Sequence, residues 1–273
     1  MIQVVWNPKS VFQTTRTSDL NFIHHQHKLT LINKDYNMNY REIINELNEN
    51  LHAFPEAETV FSDKQPWLKE HFLPCISIDL VEINPEWKGI TLHLINPQEP
   101  GDGLIGELTQ FAHNEFIGIN WLSFRLTEDN RYEFLGDERY FLRSPANKHL
   151  LTDPYLEKDF AENLKNYAEH KKAFQEKTGY YGGEPYYSEY DGLFLNNLGG
   201  ERIESSNWST SDDIPSAYKM TQDEDGNVTI THNGNRFYHI ASACGYSYSH
   251  GADNIVMLYE PISRLVLFTY DWT

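Results

Sequence analysis

Two turn dipeptides near the C-terminus limit the possible fold more than any other feature of this chain. Asp225-Gly226 and Asn233-Gly234 each sit between runs that alternate apolar and polar residues. Such dipeptides supply the left-handed backbone that tight hairpins need. Met220 and Val228 flank the first, and Ile230 and Phe237 flank the second. Residues 237–243, 255–259 and 264–270 continue the series, with Glu260-Pro261-Ile262-Ser263 joining the last two runs. The pattern predicts an antiparallel meander over the final third.

Upstream the texture is mixed. Val4-Val5-Trp6 and residues 28–32 read as short strands, as do the alternating runs 75–80 and 90–94. Residues 40–51 read as a helix capped by Asn39, with Ile43, Ile44, Leu47 and Leu51 on one face. Residues 116–126 read as a buried strand that turns at Asp129-Asn130 into Tyr132-Glu133-Phe134. The clearest long helix is 157–178, on the spacing of Phe160, Leu164, Tyr167 and Phe174. Asp153-Pro154 opens it and Gly179 closes it. The fold class is therefore α+β. A mixed region, 1–178, contains two or more helices. A mainly antiparallel β region, 179–273, follows it, and the two pack as one compact unit.

Charge narrows the function. Forty acidic side chains against 22 basic ones give a formal charge of −18. Such a surface repels nucleic acid and anionic lipid, and it speeds encounter with a basic partner. Solubility alone accounts for the same charge and is the simpler reading of it. No apolar run reaches membrane-span length, and the N-terminal stretch lacks a basic start and a long apolar core. The two cysteines, Cys75 and Cys244, lie in apolar runs and form no metal-type pair. Buried free thiols and a cytoplasmic location are the expectation.

Motifs for chemistry are sparse. His25 and His27, in His24-His25-Gln26-His27, would share one face of a strand, but the further ligands of a cupin-like set do not follow. His113-Asn114-Glu115 and His250-Gly251-Ala252-Asp253 pair imidazole with carboxylate. Neither belongs to an HExxH helix or a GxSxG elbow. Gly182-Gly183 and Gly199-Gly200 lack the Lys-Ser/Thr of a phosphate cradle and read as turns. No cofactor and no metal are expected. A glycosidase needs only two carboxylates at a set separation, which an acidic chain can supply without any motif.

The most unusual stretch is 180–190, with five Tyr, two Gly and one Pro. Tyrosine on such a loop offers contact area at little rotamer cost, which suits protein recognition. It suits packing on its own domain as well. Glu201, Glu204, Asp212, Asp213, Asp223, Glu224 and Asp225 follow closely. Together they predict a partner-binding surface of Tyr181, Glu184, Tyr186, Tyr187, Tyr190, Trp208, Asp212 and Asp213, an aromatic centre with an acidic rim.

The C-terminal third resembles the YwqG-like family of bacterial proteins. The likeness rests on Leu198-Gly199-Gly200 followed by Trp208, on the strand 237–240, on Gly251-Ala252-Asp253 leading into 255–259, and on the closing 267–272. The resemblance implies a mixed α/β fold with repeated sheet units and assigns no activity. It also suggests similarity to acidic proteins encoded beside bacterial polymorphic toxins. The functional expectation is a non-enzymatic immunity or antitoxin-like protein that neutralises a basic toxin domain. The alternative is a hydrolase or carbohydrate-active enzyme with a carboxylate/His site.

Overall fold

Fourteen β-strands and three helices, joined by short 3-10 turns, make up the residues described by the computed structural model, which are 36–99, 104–176 and 193–272. Residues Tyr36–Thr273 form a compact unit of their own, to which the description below refers. The fold is mixed α+β with mainly antiparallel sheets and a β-rich C-terminal part.

The strands are β1 Tyr40–Ile44, β2 Leu51–Ala53, β3 Phe72–Asp79, β4 Thr91–Pro97, β5 Trp121–Leu126, β6 Tyr132–Phe134 and β7 Leu195–Gly199. They continue as β8 Ile203–Glu204, β9 Tyr218–Gln222, β10 Asn227–His232, β11 Asn235–Arg236, β12 Tyr238–Ala243, β13 Asn254–Glu260 and β14 Leu265–Asp271. The helices are α1 Ala57–Val60, α2 Pro154–Glu176 and α3 Trp208–Ser211. The central sheet has seven strands in the order β1-β7-β12-β13-β14-β5-β6, so it draws strands from both sides of residue 178. A three-stranded sheet, β2-β3-β4, and a four-stranded one built around β10 complete the set.

The central sheet is covered on both faces, and its sequence reflects this. Along β14, Val266, Phe268 and Tyr270 enter one core with β3 and β4, while Leu265 and Leu267 enter a second core with β9 and β10. All seven β14 positions are buried. A strand buried on both faces reads as a continuous apolar run, whereas the edge β1 keeps four exposed residues. Aromatic rings carry much of the first core. Phe72 lies 5.5 Å from Phe124 and 5.1 Å from Phe141, both edge-on, and Phe134 lies 5.1 Å from Phe141.

The turn signals act as their chemistry requires. Asn233 (φ 51°) and Gly234 (φ 84°) are both left-handed and close β10 on β11, with His232 opposite Asn235. At the β9–β10 turn, Asp223 Oδ1 accepts from the backbone N–H groups of Asp225 and Asn227. At the β13–β14 turn, the buried Glu260 accepts from the N–H groups of Ile262 and Ser263. A Cβ at Gly234 would meet no atom within 4 Å. Gly234→Ala is therefore expected to cost only its backbone strain, about 1 kcal/mol, read from the urea midpoint.

Helix α2 begins where Asp153 Oδ1 accepts from Tyr155 N–H. Phe160 is buried, and Tyr167 and Phe174 pack on the first core, while Leu164 stays 39% exposed. Polar contacts complete the docking. His170 Nδ1–H donates to the Tyr248 carbonyl (2.7 Å), and Asn163 Oδ1 accepts from Ser249 Oγ and His250 N–H.

Three expectations are corrected. Residues 40–51 are not a helix but strand β1, a turn and strand β2. Tyr40 to Ile44 pair with β7, and Asn39 serves that edge, its N–H bonded to Ile83 O and its carbonyl accepting from Gly200 N–H. Asn48 and Asn50 hydrogen-bond the Glu82 carboxylate, and Asn48 Oδ1 also takes the Asn50 N–H. Such side chains draw the backbone out of helix. The strand expected over 116–126 starts only at Trp121, because Asn120 is left-handed (φ 61°) and holds Tyr270 O and the Trp272 indole. Cys75 is a buried free thiol, and Cys244 is free but only partly buried. Among the described residues no helix is long and apolar enough to cross a membrane.

Candidate functional site

Register places a row of polar side chains across one face of the central sheet. Glu42 on β1 lies opposite Asn197 on β7, and Asn197 lies opposite Ser242 on β12. Ser242 faces Val256 on β13, and Val256 faces Thr269 on β14. One step along, Asn254 on β13 lies opposite Asp271 on β14. Residues two apart share a face, so Asp271 and Thr269 project with Leu267 toward the second core. At this end of the sheet, polar residues take the place of apolar ones.

The wall over this row is the segment 200–206 and Trp208. Several contacts pin it. Gly200 N–H reaches Asn39 O, Arg236 donates to Glu201 O, and Ile203 is buried opposite Val228. The space between wall and sheet is a cleft of about 620 Å³, within the range of ligand sites. Among the described residues Glu42, Glu201, Glu204 and Asp271 line it as carboxylates, and Arg202 is the single Arg or Lys side chain in its lining.

The interior is rich in acceptors. Asp271 is only 8% exposed; one carboxylate oxygen takes Trp208 N–H at 2.7 Å. His239, also 8% exposed, donates Nδ1–H to Gly199 O at 2.7 Å. That bond leaves Nε2 as an acceptor, and burial lowers the imidazole's pKa. Asn254 Oδ1 is buried without a partner among the described residues. The Tyr40 hydroxyl lies 2.7 Å from Glu42 Oε1 and 3.1 Å from Asn197 Oδ1. Its hydrogen bond to the Glu42 carboxylate, with some burial, pushes the phenol up to about 12.

The expected partner surface is only partly here. Tyr181, Glu184, Tyr186, Tyr187 and Tyr190 lie outside the described residues, as does the His24–His27 group. Trp208 lines the cleft but is 1% exposed and packs edge-on against Trp121, 5.8 Å between ring centroids. It is thus a core residue with one border on the cleft, not an exposed anchor. Asp212 and Asp213 do not line the cleft; Asp212 lies near enough to His113 to act on its charge, and the Asp213 carbonyl sits by Gly118. Asp223 is used in its own turn. Of the acidic residues singled out in the sequence, Glu201 and Glu204 line the cleft. Glu42, Asp271, His239 and Asn254 were missed.

Two further groups invite comparison. Ser77 Oγ lies 2.7 Å from His93 Nδ1, and His93 Nε2 lies 2.9 Å from Asn130 O. The geometry is that of a nucleophile with a base. Both residues are buried, neither lines the cleft, and the Tyr132 hydroxyl occupies the His93 backbone N–H and C=O. Burial lowers His93 to about 4, as befits a neutral core histidine. Glu99, buried with Oε1 on Leu142 N–H, is pushed up to about 8 by burial. The imidazoles of the two His/carboxylate pairings noted in the sequence have other hydrogen-bond partners. His113 donates to Gly106 O, and His250 meets Asn166. No three His, Cys, Asp or Glu side chains gather into a metal-type group among the described residues. The chain matches no protein-family model, no curated protein and no solved structure.

Proposed function

We propose that this protein is a non-enzymatic binding protein that captures a basic protein, in the manner of an immunity or antitoxin protein neutralising a toxin domain. The observation that carries the reading is the charge of the cleft: among the described residues, four carboxylates and one arginine around about 620 Å³ of space. The surrounding chain has a net charge of −18. Such a field draws in cationic surfaces and disfavours nucleic acid. Glu201 and Glu204 are exposed on the wall and meet a partner early; Asp271 waits deeper.

Capture from host lysate, with the partner identified and purified, tests the reading. A basic protein is expected, held at low salt and released as salt rises. The double variant Glu201→Lys with Glu204→Lys should weaken its binding by at least about tenfold, mainly through the association rate. If the double variant binds the purified partner as tightly as the parent, the cleft is not the site. If the captured protein is acidic, the neutralisation reading goes.

A further inference from the structure

The geometry points to a guanidinium, the arginine side chain of the partner, as the group that occupies the Asp271 end of the cleft. This inference rests on the basic-partner reading and specifies its chemistry.

Asp271 is the reason to look here. It ends a strand that is buried on both faces, and it is itself nine-tenths buried. Buried carboxylates are ordinarily paired with a cation. Asp271 has no ion pair among the described residues, and its carboxylate's one hydrogen bond there, from Trp208 N–H, uses a single oxygen. The other oxygen has no hydrogen-bond partner there, and the residue lines the cleft. Directly across the β13–β14 pair, Asn254 Oδ1 is buried and unpartnered. On the same sheet face, two positions back, the fully buried Thr269 Oγ1 is also without a partner.

The chemistry of these groups selects among cations. Asp271 and Asn254 are directly opposed across the β13–β14 pair and both line the cleft, so a ligand that reaches the Asp271 carboxylate lies beside a second polar side chain. A guanidinium offers several coplanar N–H donors and a flat face that packs on aromatic rings. An ammonium is a compact, strongly hydrated charge with neither property. It would satisfy Asp271 but lose more hydration and leave Asn254 to chance. The outer carboxylates, Glu201 and Glu204, attract either cation; the discrimination lies at the Asp271–Asn254 pair.

The test uses the full chain and three probes titrated by NMR at low salt: N-acetyl-arginine amide, the lysine analogue and the uncharged citrulline analogue. The arginine probe is expected to bind with a Kd on the order of 1 mM, the range for a fragment-sized ligand. The lysine probe should bind about tenfold more weakly, and citrulline should not bind measurably. Asp271→Asn can still accept the Trp208 N–H and should lose at least about tenfold in arginine affinity. Asn254→Ala, which leaves Asp271 in place, should reduce the preference for arginine over lysine and guards against a folding defect in the first variant. Equal binding of arginine and lysine overturns the inference, as does an Asp271→Asn protein that is folded and binds arginine normally. If no arginine probe binds while the salt-sensitive basic partner is still captured, the guanidinium site is wrong and the wider binding reading stands.

Discussion

Gly199→Ala is expected to detach strand β1 and open the cleft, at a cost of about 3 kcal/mol or more. Gly199 is left-handed (φ 74°), which alone penalises alanine by about 1 kcal/mol. The larger part is steric. A Cβ there would stand 2.0 Å from the Asn39 carbonyl oxygen, which is backbone and accepts from Gly200 N–H. Neither side can yield without breaking the Tyr40–Gly199 pairing that begins the β1–β7 ladder. Strand β1 is at the sheet edge with β7 as its sheet neighbour, so the damage should stay local. Amide exchange across Tyr40–Ile44 should accelerate while β13 and β14 remain protected. Since β1 carries Tyr40 and Glu42 into the cleft, partner affinity should fall with it. Gly234→Ala is the control, having the same sign of φ and open space around the new carbon. Equal losses for the two variants would show that the close approach to Asn39 does not matter.

The contrast between these glycines also shows which parts of the fold were legible in the sequence. Asn233-Gly234 announces its turn because the requirement is local: two left-handed residues between alternating runs. The final hairpins were readable for that reason. Gly199 owes its role to a residue 160 positions away, and nothing near it in the sequence shows this. Residues 40–51 misled because Ile43, Ile44, Leu47 and Leu51 fit a helical stripe. In the fold Ile43 is 63% exposed and left-handed (φ 57°), and the segment is decided by pairing with β7. Tertiary pairing overrode local propensity.

The cleft was hidden for the same physical reason. Its floor draws on β1, β7, β12, β13 and β14, which become neighbours only through sheet order. Glu201 and Glu204 stood out because they lie in an acidic stretch. Asp271 carried a different signal, a charge at the end of the run Leu265–Asp271 whose continuity marks burial on both faces. A carboxylate there either costs stability or meets a ligand. Trp208 was noticed as an aromatic anchor, but a sequence does not show whether an indole faces solvent or Trp121.

The second large effect is on pH dependence. Stability should peak near pH 7 and fall on both sides, for opposite reasons. His71, His93 and His170 are buried, and burial lowers them to about 3, 4 and 4. Their folded values lie below the unfolded value of about 6.5. Between these limits the unfolded chain binds more protons, so stability is lost as pH falls through the window. His113 and His239 are lowered as well and act in the same direction. Glu99 acts oppositely. Burial raises it to about 8, well above the unfolded value of about 4.5. Over that range the folded chain holds the extra proton, and stability falls as pH rises.

Toward pH 5 the unfolded histidines are protonated; His71, His93 and His170 alone then outweigh Glu99 by about two protons, and His113 and His239 add to them. The slope there approaches about 2.7 kcal/mol per pH unit, which consumes a typical domain's stability within a few units. From about pH 7 to 8 the histidines are neutral in both states for the most part and Glu99 dominates, at up to about 1.4 kcal/mol per unit. Urea unfolding from pH 4 to pH 9 gives the profile directly. Glu99→Gln keeps an acceptor for Leu142 N–H and should flatten the alkaline limb while leaving the acid limb. His170→Asn, which can still donate toward Tyr248 O, should make the acid limb shallower by about one proton. An alkaline limb that persists unchanged in Glu99→Gln would show that the Glu99 carboxyl is already ionised in the folded protein, and the burial argument for it would be wrong.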